Sequence, residues 1–288
     1  MQIIKSNGDK VPFSADKVRA SIRRTGADEA IIETVLENIE KQVHEGMTTA
    51  KLHHVVLNEL KKESTCFACR YNLREAILKL GPAGFKFEKY VSSILNAYNY
   101  DARVPEDEFE GSCTRHEIDV IAKKSGRTIF IEAKFRNNYK DSVNLKDTMA
   151  TWARFLDLVD GAAIGKCPHF DEVWIVTNAR FSDRAKQFGV CKGMHMIGWG
   201  FPAERSFAGM VDFNSLYPIT VLDGLKQSEL DAFSDQGILL CREVANKDAQ
   251  EIAGKIGIET ARAQKVIEMC VDVVSGDESV IEHKHKNE

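Results

Sequence analysis

Two stretches, His116-Glu117-Ile118-Asp119-Val120-Ile121 and Thr128-Ile129-Phe130-Ile131-Glu132-Ala133-Lys134, limit the fold of this chain more than any others. Both are rich in β-branched residues, and Lys124-Ser125-Gly126 between them has the composition of a tight turn, so they read as adjoining strands at about 116–122 and 127–134. Strands this apolar need cover on both faces. The neighbouring sequence provides it. Upstream, Phe87, Tyr90, Val91, Ile94, Leu95 and Tyr98 recur at helical spacing. Downstream come a helix at about 144–159, a strand at Val173–Val176, a helix near 182–189 and a strand near 194–199. The order α-β-β-α-β-α-β describes a mixed sheet flanked by helices.

Glycine and proline punctuate the chain at Gly81-Pro82-Ala83-Gly84 and Tyr217-Pro218. They divide it into residues 1–82, 83–218 and 219–275, followed by a polar tail, 276–288, read as disordered. The first segment opens with Asn7-Gly8 between two short apolar runs, a hairpin signal. Helices are expected from near Asp16 to near Gly26, at 28–45, after Thr48 or Thr49 (either a good N-cap), and at about 66–80. The third segment reads as short helices separated by Gly-Leu and Gly-Ile pairs. The fold class is therefore multi-domain α/β: a mostly helical N-terminal domain with a β-hairpin, a central mixed α/β/α sheet and a small C-terminal helical module.

Charge excludes one way of handling nucleic acid. Lys and Arg outnumber Asp and Glu by 14 to 11 over residues 1–86, the balance is 17 to 18 over 87–218, and it falls to 8 against 14 over 219–288. No segment is a basic arm that grips phosphate by charge alone, so any nucleic-acid site must be shaped and local. No apolar run approaches the ~18 residues of a membrane span. The first residues lack the apolar core of a signal peptide, and seven cysteines is an odd number in a chain of this size, so a cytoplasmic chain with reduced thiols is expected.

The chemistry lies on the two strands. Glu132 and Lys134 are two apart, so their side chains leave the same face, and Asp119 on the partner strand can reach the same point. Two carboxylates converging beside an ammonium suit a hard cation such as Mg²⁺, which one or two carboxylates hold together with waters and phosphate oxygens. The lysine can orient or deprotonate the attacking water and neutralise charge on phosphate. The other reading of these residues is an ion pair at a strand end. In this context residues 84–200 resemble an Mrr-type member of the PD-(D/E)xK nuclease superfamily, a restriction-endonuclease-like fold. Asp119, Glu132-Ala133-Lys134 and the helical Glu88 carry the resemblance, with Val176-Thr177-Asn178-Ala179-Arg180-Phe181-Ser182, Cys191 and Gly198-Trp199 further on. The resemblance implies Asp119 and Glu132 as Mg²⁺ ligands, Lys134 as the water-activating or phosphate-neutralising group, and Glu88 as an outer ligand. The implied catalytic set is thus Asp119, Glu132, Lys134 and Glu88, and the implied reaction is hydrolysis of DNA phosphodiesters to 5′-phosphate and 3′-hydroxyl ends.

The first segment resembles an ATP-cone, the regulatory nucleotide-binding module of ribonucleotide reductases and of a reductase-gene repressor. The matching residues are Ile4-Lys5, Asn7-Gly8, Phe13, Asp16-Lys17-Val18, Thr49, His53 and Ala68-Cys69-Arg70-Tyr71. Lys5 on the hairpin and Lys17 at a helix start are cations placed to meet the phosphates of ATP or dATP, with helix N–H groups adding to the grip. Phe13 and Val18 can cover a base, and Thr49 and His53, one helical turn apart, can face one pocket. Ser6 stands where the family usually has a second basic residue. No G-x₄-G-K-[ST] occurs, so binding for regulation is expected rather than hydrolysis by a P-loop.

The remaining signals are read as packing. Cys66-Phe67-Ala68-Cys69 lacks a second pair at zinc spacing, the spacings of Cys167, His169, Cys191 and His195 are irregular, and Trp152, Trp174 and Trp199 read as core. Leu222-Asp223-Gly224-Leu225-Lys226 and Ile256-Gly257-Ile258-Glu259 are similar to helix-hairpin-helix modules, which hold DNA phosphate on backbone amides. Lys226 and Glu259 stand where a second glycine is normal, so protein packing is as open as DNA contact. The expected partners are DNA and nucleotide, with homo-oligomerisation open and no membrane. The expectation is a Mg²⁺-dependent DNA endonuclease regulated by ATP or dATP; the alternative is a catalytically inactive nucleotide-sensing DNA-binding regulator.

Overall fold

The computed structural model describes residues 1–5, 7–81, 87–138 and 141–275. Ser6, the Pro82-Ala83-Gly84 part of the hinge and the tail 276–288 lie outside the described residues. The chain forms two compact units, one made of Met1–Ala76 together with Ile219 onward, the other of Ile77–Pro218.

The first unit begins with β1 (Gln2–Ile4) and β2 (Lys10–Pro12), antiparallel with Ile3 opposite Val11. The turn between them is closed by Gly8 N–H donating to the Lys5 carbonyl at 2.9 Å, with Gly8 at φ 89° where glycine is favoured. Helices α1 (Ala15–Arg23) and α2 (Glu29–Gln42) follow, and then β3 (Met47–Thr48), which joins β1 in parallel to complete a sheet ordered β2-β1-β3. Thr48, not Thr49, caps α3 (Thr49–Glu63), its hydroxyl accepting from Lys51 N–H at 3.2 Å. Ile3, Ile22, Ile32, Val35, Ile39, Val56 and Leu60 form the core of this part.

The helix expected over 66–80 is two, α4 (Thr65–Tyr71) and α5 (Leu73–Leu80). They break at Asn72, which caps α4, as a residue that competes with helical hydrogen bonds often does. The C-terminal part of the unit contains a short 3₁₀ turn (Ile219–Val221). It is followed by α10 (Gln227–Asp235), α11 (Cys241–Ala245), α12 (Ala249–Ile256) and α13 (Thr260–Val274). Gly257, left-handed at φ 68°, ends α12. Helix α13 packs on α11 and α12 and also on α4 of the N-terminal part. Residues 219–275 are thus gathered into one unit with the first segment.

In the second unit the end of α5 is followed by α6 (Phe87–Ala97), whose buried stripe includes Phe87, Tyr90, Val91, Ile94 and Leu95 as its spacing predicts. Then come β4 (Asp101–Arg103), β5 (Phe109–Glu110), β6 (Arg115–His116), β7 (Val120–Lys124), β8 (Arg127–Lys134), β9 (Ser142–Val143), α7 (Leu145–Ala163), β10 (Glu172–Thr177), β11 (Arg180–Phe181), α8 (Asp183–Cys191), β12 (His195–Ile197) and α9 (Phe207–Phe213). The main sheet has the order β12-β10-β8-β7-β4. Strand β8 pairs antiparallel with β7 and parallel with β10, and β10 pairs parallel with β12. The β7–β8 turn is Ser125-Gly126, with φ 51° and 77°, the double positive φ that suits the twist of a two-residue hairpin.

Two strand expectations change. The run 116–122 does not form one strand: Arg115–His116 pairs with Phe109–Glu110, and the main ladder starts at Val120. Glu117, Ile118 and Asp119 lie between the two strands. Strand β4 was not foreseen, since its only inward residue is Ala102, flanked by exposed Asp101 and Arg103. Residues Phe130, Val173 and Ile175 share one buried core with Phe155 and Leu158 of α7 and Ala185 of α8. Elsewhere Val176 and Ile197 line a small cavity with Val91, Ile94 and Leu95 of α6 and Phe207 and Met210 of α9.

Candidate active site

The register sets the acidic residues side by side. Val120 pairs with Ile131, so Asp119, one residue before β7, meets Glu132 one rung further along β8. The Asp119 carboxylate replaces a backbone acceptor at the end of the ladder: its Oδ2 accepts from Ala133 N–H at 2.7 Å. Glu132 is 2% exposed. One of its oxygens is ion-paired with Lys134 Nζ and the other with the Arg154 guanidinium of α7. Burial and the charge of Glu132 push the Asp119 carboxyl up to about 6, against the pull of the Ala133 N–H, Lys134 and Arg154. Asp119, Glu132 and Lys134 are therefore brought together. Glu88, half-exposed in the first turn of α6, is joined to them by no hydrogen bond or ion pair.

Arg154 was not singled out from the sequence. Its guanidinium also donates to the Glu117 carbonyl and lies over the Phe130 ring, 5.6 Å from its centroid. One turn further along α7, Asp157 holds the same segment: it accepts from Cys113 N–H at 2.8 Å and Thr114 N–H at 3.3 Å, and pairs with His116 Nε2 at 2.7 Å. Helix α7 thus fixes the approach to Asp119 at both ends. After β8, Asn178 clasps the backbone of Arg136, accepting from its N–H at 2.8 Å and donating to its carbonyl at 2.9 Å, while Thr177 Oγ1 donates to the Lys134 carbonyl at 2.6 Å. Thr177 and Asn178 so fix the backbone at Lys134 and Arg136. Cys191, expected to be packed, is exposed at the end of α8.

The hydrogen bond from His116 comes first among the causes that hold Asp157 down to about 2, from an ordinary 3.8. A carboxylate whose pKa falls on folding stabilises the fold above its unfolded pKa and loses that contribution as pH falls through the folded value. Asp157→Asn is therefore expected to melt below wild type at neutral pH, with a gap that closes between pH 4 and pH 2. A gap that stays constant across that window in thermal melts would remove Asp157 from this role.

Among the described residues, no group of three or more His, Cys, Asp and Glu is arranged to hold a metal ion. A cation here would rest on Asp119 and Glu132 alone, which is sufficient for Mg²⁺ when water and phosphate complete the shell. The donor set fits on the Asp119 side, where Oδ1 makes no hydrogen bond among the described residues. On the Glu132 side, a cation must share an oxygen with Lys134 or Arg154.

The candidate nucleotide residues lie on the first unit. Lys5 follows β1 and Lys17 lies in the first turn of α1; both are exposed and neither makes an ion pair among the described residues. Thr49 and His53 stand one turn apart on α3. The His53 ring stacks on Tyr71, with centroids 4.9 Å apart and planes at 22°. Its Nε2 lies 3.5 Å from Asn72 Oδ1, and burial holds the imidazole below its ordinary pKa. Val18, at 7% exposure, lies in the core on the buried stripe of α1 with Ile22, and Phe13 packs half-buried against that core.

Two stretches of the chain match known domain families. Residues 1–71 match the ATP cone domain, and residues 217–274 match the domain described as AF1548-like, C-terminal. The chain is 34% identical over 158 residues to an uncharacterized protein of Archaeoglobus fulgidus, covering 55% of this chain and 85% of that protein. The chain belongs to the AF1548-like family. A solved member of similar sequence, the crystal structure of protein of unknown function AF1548, superposes with a TM-score of 0.56 at 30% identity, covering 66% of this chain and 97% of that one. In this AF1548-like chain the cone supplies a nucleotide-sensing element. No helix among the described residues is long and apolar enough to cross a membrane.

Proposed function

We propose that this AF1548-like chain is a divalent-cation-dependent DNA endonuclease of the Mrr-type PD-(D/E)xK kind, regulated by ATP or dATP bound to its cone. The observation that carries the reading is the convergence of Asp119, Glu132 and Lys134 at one end of β7 and β8, on a backbone held by Asp157, Arg154 and Asn178. Structural ion pairs are usually left on exposed surface; this one places a 2% exposed carboxylate beside a second carboxylate. Asp119 and Glu132 would hold the metal. When bound, the ion would supply Lewis acidity to a phosphoryl oxygen and acidify a bound water. Lys134 adds a fixed positive charge where negative charge grows on the phosphorus centre, in a partly water-excluded place. The C-terminal helices, with left-handed Gly224 and Gly257, are read as a helix-hairpin-helix-like accessory module. The deciding experiment incubates purified full chain with plasmid DNA, with and without Mg²⁺ and with ATP or dATP; no cleavage under any condition would overturn the reading.

One observation favours the rival, a non-catalytic nucleotide-sensing DNA-binding regulator: both Glu132 oxygens are already held by cations of the chain itself. Under that reading the plasmid stays intact but is bound, and nucleotide changes the binding.

Regulation makes its own prediction. Lys5→Ala and Lys17→Ala should each weaken ATP and dATP binding by about 10- to 100-fold, since a charge-assisted phosphate contact contributes about 1.5–3 kcal/mol. Calorimetry on the full chain measures this, and unchanged affinity in both variants would remove these lysines from the nucleotide site.

A further inference from the structure

The acidic site holds its own counter-charge. Asp119 and Glu132 are matched by Lys134 and Arg154, two carboxylates against two cations, so the cluster is neutral as it stands. Arg154 has a special place in this balance. Lys134 leaves the same strand as Glu132, whereas Arg154 reaches in from α7 and shares its guanidinium between Glu132 and the Glu117 carbonyl. Its side chain is 27% exposed and that of Lys134 30%, against 3% for Glu132, so both cations have room to move; what sets Arg154 apart is the Glu117 carbonyl, a second acceptor that it keeps when it releases Glu132.

A divalent ion added alone would leave two uncompensated positive charges around a buried carboxylate, which low-dielectric surroundings penalise. A bound phosphodiester offsets one of these charges, and the second negative charge that it gains on attack offsets the other. Resting on the proposed nuclease reading, we propose that Arg154 is a positioning residue that competes with the divalent cation for Glu132, so that metal binds weakly until nucleic-acid phosphate is present. The guanidinium is the internal counter-ion of Glu132 in the resting site. In the complex with metal and DNA, it yields that oxygen to the metal.

The test measures Mn²⁺ binding by calorimetry at pH 8, on full-length wild type, Arg154→Gln, Arg154→Lys and Glu132→Gln, each with and without a phosphorothioate-substituted duplex that resists cleavage. Removing a cation a few ångströms from a carboxylate is worth one or more powers of ten in its charge interactions. Arg154→Gln should therefore bind Mn²⁺ about 10-fold more tightly than wild type without DNA, and gain less when the duplex is added; Arg154→Lys, which keeps the charge, should stay close to wild type. Equal or weaker Mn²⁺ binding by a folded Arg154→Gln would overturn the proposal.

If Arg154→Gln does not fold, wild type gives the answer by NMR. The Arg154 Nε–Hε resonance, assigned with Arg154→Lys, should move on addition of Mg²⁺ and duplex together, and a resonance that does not move overturns the proposal. The nuclease reading fails separately: Mn²⁺ binding unaffected by Glu132→Gln, or absent from wild type with duplex, overturns the metal site itself.

Discussion

Replacing Lys134 with alanine should lower Mg²⁺-dependent plasmid cleavage by about 10²-fold or more, the usual cost of losing one fixed electrostatic contributor at such a site. The structure explains why the loss should be catalytic and not structural. Glu132 keeps Arg154 as its partner when Lys134 is gone, so the buried carboxylate is not left alone. The backbone of residue 134 remains tied to Thr177, and that of Arg136 to Asn178, because both ties are made through backbone atoms of β8 and the residues that follow it. Asp119→Asn and Glu132→Gln should be as inactive, but for another reason, namely loss of cation binding. Nicking of supercoiled plasmid followed over a Mg²⁺ titration separates the two: the carboxylate variants need more metal, whereas Lys134→Ala, which takes a cation away from Glu132, saturates at no more Mg²⁺ than wild type but with a lower plateau. Wild-type rates in Lys134→Ala would remove this lysine from the mechanism.

The largest effect on stability is expected at Arg70. This residue is 9% exposed. Its guanidinium donates to the Val273 carbonyl from Nε at 3.2 Å and Nη2 at 2.8 Å, and to the Thr25 carbonyl from Nη1 at 3.0 Å. Val273 is in the last turn of α13, where carbonyls have no partner within the helix and the helix dipole favours a cation. Arg70 therefore joins α4, the α1–α2 turn and the end of α13 in one contact. Packing around it is close: a Cβ on Gly26, itself at φ 88°, would lie 3.0 Å from Nη1. Arg70→Met keeps much of the volume but strands two buried carbonyls, so it should cost about 3 kcal/mol. Thermal unfolding of the full chain should show the transition of this unit lowered by roughly 6–12 °C. A variant melting with wild type would show that α13 is held by its apolar face alone.

What the sequence revealed followed from how local each cause was. The β7–β8 hairpin was legible because its turn residues and apolar strands are adjacent, and the i, i+2 relation of Glu132 and Lys134 follows from strand geometry alone. The amphipathic stripe of α6 was equally local. The β4 strand gave no signal because a three-residue edge strand needs a single inward alanine. The run 116–119 looked like strand by composition, but side-chain anchoring to Asp157 and Arg154, about 40 residues away along the chain, decides its path. Arg154 and Arg70 were missed for the same reason. An arginine beside a buried helical stripe reads as solvated until its partner is known, and the partner of Arg70 is 203 residues away. Val18 shows the converse: it matched a motif, but the helical stripe that it shares with Ile22 puts it in the core.

The separation between Arg70 and Val273 also orders events in time. Ribosomes add about 5–20 residues per second, so α4 emerges roughly 10–40 s before the end of α13 exists. For that interval the cone is an unfinished fold whose α13-facing side has no cover, and a nascent chain stalled anywhere in residues 77–218 presents it in that state. A chain truncated before residue 260 never reaches the arrangement in which Arg70 meets the Val273 carbonyl.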